Sequence, residues 1–287
     1  MGGKSTIRMA TTGGFFSGLT PEQTCHHHKN NPVKPFPNLL KMKSVTILAM
    51  SLAGAAVGVS GAATTTFPEA TGETALPTPM LVSGAFDGGM KRYNRDPDTC
   101  ENQTETGEDA AMFIVEDGGS ISNVVIGKAQ GEGIHCRGAC TLTNVWWEAV
   151  CEDAATFKQA EGNSYVIGGG ARGASDKVFQ FNGRGTVSIE DFYAEDYGKV
   201  VRSCGDCTDN GGPRNVVIDG MVAKDGGPLC GINTNFGDTC RISNSCQTDG
   251  KSCDRYEGVE KGEGDTEKIG SGPDDISCFV TALTETC

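Results

Sequence analysis

Six short runs rich in β-branched residues recur at a nearly even spacing, and this recurrence constrains the fold more than any other feature of the chain. They are SISNVVIG at 120–127, CTLTNVWWE at 140–148, NSYVIGGGA at 163–171, GTVSIEDFYAED at 185–196, RNVVIDGMVAKD at 214–225 and TCRISNSC at 239–246. Aligned on the residue after the alternating pair, Asn123, Asn144, Gly168, Asp191, Gly220 and Asn244 become equivalent, with steps of 21, 24, 23, 29 and 24 residues. No helical apolar period of ten or more residues lies between them. Gly, Asn and Asp fill the gaps, as tight turns require. A period in the low twenties with one or two short strands per repeat predicts an all-β chain wound as a parallel β-helix, each repeat one coil stacked on the last. A leucine-rich repeat has a similar period, but its fixed leucines are missing. A β-sandwich also accommodates short strands with turn signals; the even period favours the β-helix. Stacking makes residues one coil apart neighbours, so sites distant in sequence converge on one face.

The first 62 residues read differently. Residues 42–62, MKSVTILAMSLAGAAVGVSGA, carry Lys43, an apolar run from Val45 to Val59 and the small residues Ser60, Gly61 and Ala62. That is the anatomy of a secretory signal, and the run is too short for a confident membrane span. A signal starting at Met42 makes residues 1–41 a misplaced start, or alternatively an extension with a weak anchor. Either reading leaves Cys25 and His26 to His28 a poor basis for a metal site.

Removing residues 1–62 takes away six basic residues and one acid, so the formal charge moves from −13 to −18. So acidic a chain is expected to bind neither nucleic acid nor an anionic membrane, and to act as a monomer. Cys25 leaves too, and twelve cysteines remain. An even number behind a secretory signal predicts a disulfide-stapled extracellular protein, with connectivity open. Cys204 and Cys207 lack a second pair at zinc-ribbon spacing and read as disulfide cysteines. Asn102-Gln103-Thr104 is a glycosylation sequon. Residues 63–80, rich in Thr and Pro, are expected as a poorly ordered lead-in, and residues 81–250 as one domain.

The chemistry concentrates between Gly131 and Lys158, which span Glu132, His135, three cysteines, Trp146, Trp147 and the pair Glu152 and Asp153. With Glu132 one coil earlier, Glu152 and Asp153 make a three-carboxylate cluster, whose hard oxygens suit Ca²⁺ over zinc or copper. The competing reading is a set of solvated acids in an acidic protein. Lys177, Lys199 and Arg202 follow in later coils; beside a calcium site they form an electropositive slot for a polyanion, and otherwise they are salt-bridge partners. His135, between Ile134 and Cys136, reads as a packed structural residue, with no nucleophile-elbow motif beside it. One of the two tryptophans enters the core. The other stacks on a sugar or covers the next coil.

The run GIHCRGACTLTNVWWEAVCEDAATFK, continued by DKVFQFNGRGTVSIEDFYAEDYGKVVRSCGDC, resembles polysaccharide lyase family 3, the secreted pectate lyases, in its cysteine-rich eukaryotic form. The resemblance covers roughly residues 80–250, leaving 251–287 as a C-terminal tail with disulfides. It implies a single-domain right-handed parallel β-helix of the pectin-lyase-like kind, a Ca²⁺ cofactor, and β-elimination on polygalacturonate to 4,5-unsaturated products. By position, Glu152 and Asp153 fall on calcium-binding carboxylates, and Glu132 falls where an Asp is usual. Lys177, Lys199 and Arg202 fall on the basic residues of catalysis and substrate binding, and Lys158 lies in the same groove. Glu108 or Asp109 fills the place of an upstream acid. Clustered cations depress a lysine pKa whereas an arginine is hard to deprotonate, which points to Lys177 as base with Lys199 and Arg202 on the uronate carboxylate. The rivals are a polygalacturonase-type hydrolase and a non-catalytic pectin-binding β-helix.

Overall fold

All six aligned turn residues adopt left-handed backbone in a computed structural model of the protein, which describes residues 63–287. Their φ values are 54° at Asn123, 53° at Asn144, 64° at Gly168, 51° at Asp191, 70° at Gly220 and 47° at Asn244. Asn, Asp and Gly are the residues that tolerate this region, so the chain bends sharply at one corner of every coil. The corner is also a ladder: Asn144 Nδ2 donates to Asn123 Oδ1 at 2.9 Å, one coil away.

One coil shows the plan. The strand Thr141–Trp147 places Thr141 to Thr143 in a first parallel sheet, turns at Asn144, and places Val145 to Trp147 in a second. A turn carrying Glu152 and Asp153 follows, and Ala155–Phe157 enters a third. The next coil begins at Asn163–Ile167, again in the first sheet. Its strand Gly170–Phe181 runs through the second and third sheets, with a register break between Ala174 and Lys177. Stacked this way the coils form a right-handed parallel β-helix, the hand that parallel crossovers almost always take.

Inward residues fill the tube. Trp147, Phe113, Phe157, Phe179, Phe181 and Phe192 are fully buried, and Phe179 meets Trp147, Phe157 and Phe192 with ring centroids 6.0, 5.9 and 5.3 Å apart. Each such side chain contributes about 1.5–3 kcal/mol through burial. Stability therefore comes from in-register aromatic and aliphatic stacks.

Two segments depart from expectation. The lead-in is ordered: Glu73–Leu76 pairs with the end of Ala85–Arg95, and the Phe67 ring lies 5.0 Å from Trp146. Trp146 is thereby covered, which rules out a sugar platform there. The C-terminal tail is wound into the coils rather than trailing from them. Cys253–Glu257 continues the third sheet, Cys278–Val280 the first and Leu283–Thr284 the second, so the winding extends past residue 250. The reason is covalent as well as hydrogen-bonded, since Cys253–Cys278 and Cys246–Cys287 tie these strands down. All twelve cysteines of the described residues are paired, the others as Cys100–Cys151, Cys136–Cys140, Cys204–Cys207 and Cys230–Cys240. No helix among the described residues is long and apolar enough to cross a membrane. The signal-like segment and residues 1–41 lie outside the described residues.

Candidate active site

The third sheet and the turn leading into it carry the chemistry. Its register sets His135 beside Thr156, Thr156 beside Gln180, Gln180 beside Arg202 and Arg202 beside Gly231. Lys177 and Lys199 are partners one coil apart. On an ordinary strand Lys199 and Arg202 would face opposite sides. The bend between the second and third sheets buries Val200 and Val201 together and turns both cations to one side, over Gly231. A Cβ at Gly231 would lie 2.8 Å from Arg202 Cδ and 3.3 Å from Lys199 Cδ, so the missing side chain is the notch in which they lie.

Glu132, Glu152, Asp153 and Lys177 are brought together as the spacing predicts, all at most 5% exposed. Lys177 Nζ lies 2.9 Å from Glu152 Oε1, 3.3 Å from Asp153 Oδ1 and 3.0 Å from Asp176 Oδ2. Burial works against its charge, but Asp153, Glu152 and Asp176 outweigh burial and hold its pKa above the usual lysine range. The groups touching the Lys177 ammonium are thus carboxylates, and they outweigh the neighbouring cations invoked to depress its pKa. Burial raises Asp153 well above the usual carboxylate range against the pull of Lys177, with Glu152 adding to the rise.

Arg202 sits differently. Its guanidinium lies over the Tyr256 ring at 4.0 Å, and Nη1 donates to Ser203 O, Asn233 Oδ1 and Gly231 O at 2.6, 2.8 and 3.4 Å. Nε and Nη2 make no hydrogen bond among the described residues. Burial lowers its pKa. Lys199 Nζ is 3.6 Å from Asp176 Oδ1. Lys158 stands at the opposite end of the third sheet from Lys177, 3.7 Å from Glu108, which also pairs with Arg137 at 2.5 Å. Asp109 is exposed, and its carbonyl accepts from Arg95.

Two residues that sequence reasoning passed over belong here. Asp176 links Lys177 to Lys199, and its neighbour in the DKVFQ run could have signalled it. Glu105 lies in a loop outside the repeat and carried no signal. One oxygen each from Glu105, Glu132 and Glu152 falls within 4.8 Å of the others, and burial and Glu152 push the Glu105 pKa up. Glu152 Oε2 and Asp153 Oδ1 are buried with no hydrogen-bond partner. Crowded hard oxygens with unfilled lone pairs fit Ca²⁺, which takes six to eight oxygen ligands. The site therefore suits the cofactor expected from sequence.

Fold and site together define a β-helical protein with an acid-and-cation face, the kind of surface that a polyanionic polysaccharide fits. The family model for pectate lyase matches residues 64–263, and the chain belongs to that family of enzymes. It is 48% identical over 221 residues to pectate lyase H of Emericella nidulans, covering 76% of this chain and 84% of the relative. With a probable pectate lyase D of the same organism it shares 46% over 221 residues, covering 75% and 83%. The catalytic domain of pectate lyase PelI from Erwinia chrysanthemi superposes with a TM-score of 0.60 at 29% identity, covering 75% of this chain and 97% of that one. The same enzyme in complex with tetragalacturonic acid matches at 0.60 and 31%, covering 74% and 67%.

Proposed function

We propose that this chain is a secreted, monomeric pectate lyase that cleaves (1,4)-α-D-galacturonan by calcium-dependent β-elimination, giving 4,5-unsaturated oligogalacturonides. The observation that carries this is the row of Lys199 and Arg202 beside the carboxylate cluster on one face. PelI, solved with tetragalacturonic acid, supports the substrate class. Six disulfides support an oxidising, extracellular setting.

Elimination removes the proton α to the uronate carboxylate. The electron pair forms the new carbon–carbon double bond, and the glycosidic oxygen leaves from the adjacent carbon and takes up a proton. Calcium, held by Glu152 and Asp153 with a third carboxylate of the cluster, would draw charge into the uronate carboxylate as a Lewis acid. Arg202 offers Nε and Nη2, a fork that matches a carboxylate, and Lys199 adds a second cation. Lys158, farther along the sheet, meets a neighbouring uronate.

Lys177 as base is the reading taken from residue type, and it requires the ammonium to lose its three carboxylate partners. Arg202 is the second reading, favoured by its burial-lowered pKa and its unpartnered nitrogens. Replacing the base by a residue of different pKa moves the pH–rate profile. Arg202→Lys with the profile moved to lower pH assigns the base to Arg202; Lys177→Arg with a profile moved to higher pH assigns it to Lys177.

The test of the activity is the ultraviolet absorbance of polygalacturonate incubated with residues 63–287, with Ca²⁺ and with a chelator. A calcium-dependent rise establishes the lyase. Reducing ends without it point to a hydrolase, and neither signal from folded protein points to a binding protein.

A further inference from the structure

The loop between Arg95 and Phe113 lies against the acidic cluster and is held there twice. The disulfide Cys100–Cys151 fixes it to the residue immediately before Glu152, and Gln103 Nε2 donates to the Cys151 carbonyl. Glu132 makes the second attachment. Its Oε1 accepts from Thr106 N at 2.9 Å, Gly107 N at 2.8 Å and Thr106 Oγ1 at 3.1 Å. Its Oε2 faces His135 Nε2 at 3.1 Å. Both oxygens of Glu132 thus have protein partners, at a side chain only 3% exposed. An aspartate here would fall short of the loop amides by one carbon–carbon bond, about 1.5 Å.

Glu105, next to Thr106 on this loop, is exposed, and one of its oxygens lies within 4.8 Å of oxygens of both Glu152 and Glu132. The facing Glu152 side chain is 4% exposed and its Oε2 has no hydrogen-bond partner. We propose that Glu105 supplies the third carboxylate of the cation site and that Glu132 is the positioning residue that holds the loop delivering it. The proposal rests on the calcium-dependent reading above. The length of the Glu132 side chain serves as an anchor for the loop, since Oε1 reaches the Thr106 and Gly107 amides. The proposal also opens the site on the groove side, since a cation between buried Glu152 and exposed Glu105 is within reach of a substrate carboxylate.

The test is calorimetric titration of CaCl₂ into the disulfide-intact protein and into Glu105→Gln, Glu132→Gln and Glu132→Ala, with thermal unfolding of each in chelator. Fewer ligand charges weaken a calcium site, so Glu105→Gln is expected to lose about tenfold or more in affinity with its unfolding unchanged. Glu132→Gln keeps an acceptor oxygen for the loop amides and loses less; Glu132→Ala frees the loop and lowers both affinity and unfolding temperature. Wild-type affinity in Glu105→Gln, or a greater loss in Glu132→Gln than in Glu105→Gln, overturns the proposal while leaving calcium dependence intact. A wild-type protein that takes up no calcium overturns both.

Discussion

Lys177 Nζ sits 2.9 Å from Glu152 Oε1, a cation from one coil set against an anion from the coil before. Asp153 and Asp176 complete its surroundings, and the Lys177, Glu152 and Asp153 side chains are at most 7% exposed. The ammonium is a tethered counter-ion. Without it, buried like charges face one another with nothing between them. Lys177→Met should therefore cost about 3–5 kcal/mol of stability in chelator, the penalty for breaking a buried pair. Added calcium should recover part of that loss, because an ion that binds only the folded state stabilises it. Urea unfolding with and without Ca²⁺ measures both, and an unchanged midpoint in chelator contradicts the buried pair.

Gly231 tests the groove without touching the cluster. A methyl there meets Arg202 Cδ at 2.8 Å and Lys199 Cδ at 3.3 Å, so both cations must lift. Misplacing a substrate-positioning group by about 1 Å costs on the order of a hundredfold in rate. Gly231→Ala should lower kcat/KM by roughly ten- to a hundredfold. Its calcium affinity and unfolding temperature should match the parent. Parallel assays of cleavage, calcium binding and thermal unfolding separate these effects.

The corner of the coil was legible because its demand is local. Left-handed backbone admits few residue types, so Asn123, Asn144, Asp191 and Asn244 mark the same place in each coil by their chemistry. Glu132, Glu152, Asp153 and Lys177 were legible as neighbours once the period was known, since stacking converts one coil of sequence into one strand spacing. Glu105 was not. It depends on a loop outside the repeat, and its place is set by the disulfide from Cys100 to Cys151, a pairing that cysteine count alone leaves open. The sugar-stacking alternative for Trp146 fell for a similar reason, since its cover, Phe67, comes from a segment whose composition reads as poorly ordered, whereas the other alternative, packing on the next coil, holds at Gly170. The charge state of Lys177 depends on burial and on Asp153, Glu152 and Asp176, and of these the burial and Asp176 are not revealed by spacing.

Tyr197 sets an alkaline limit. Burial pushes its phenol up to about 12, against the lowering effect of the Gln247 hydrogen bond. An acid with a raised folded pKa stays protonated in the fold after the unfolded chain has ionised. Its contribution is whole below the unfolded pKa of about 10 and is lost as pH rises through the folded value. A difference of about two units corresponds to about 2.7 kcal/mol. Stability should fall between pH 10 and about 12, and Tyr197→Phe should flatten that part of the curve. Chemical unfolding at a series of alkaline pH values gives the slope; equal slopes in both proteins would count against Tyr197.

Two disulfides of very different span make a final comparison. Cys100–Cys151 closes 51 residues and Cys204–Cys207 closes 3. Chain entropy grows with the logarithm of the loop, so the first is worth about 4 kcal/mol and the second about 1.6 kcal/mol. Replacing both partners by serine should thus destabilise the long-span variant more. The functional contrast runs the same way, and for a different reason. Losing Cys100–Cys151 frees the loop bearing Glu105 and Thr106 from the turn bearing Glu152, whereas Cys204–Cys207 pins a short turn after Arg202. At a temperature where both variants remain folded, Cys100→Ser/Cys151→Ser should bind calcium more weakly than Cys204→Ser/Cys207→Ser. If calorimetry finds equal affinities, the loop is held by Glu132 and its hydrogen bonds alone, and the disulfide acts only on the unfolded chain.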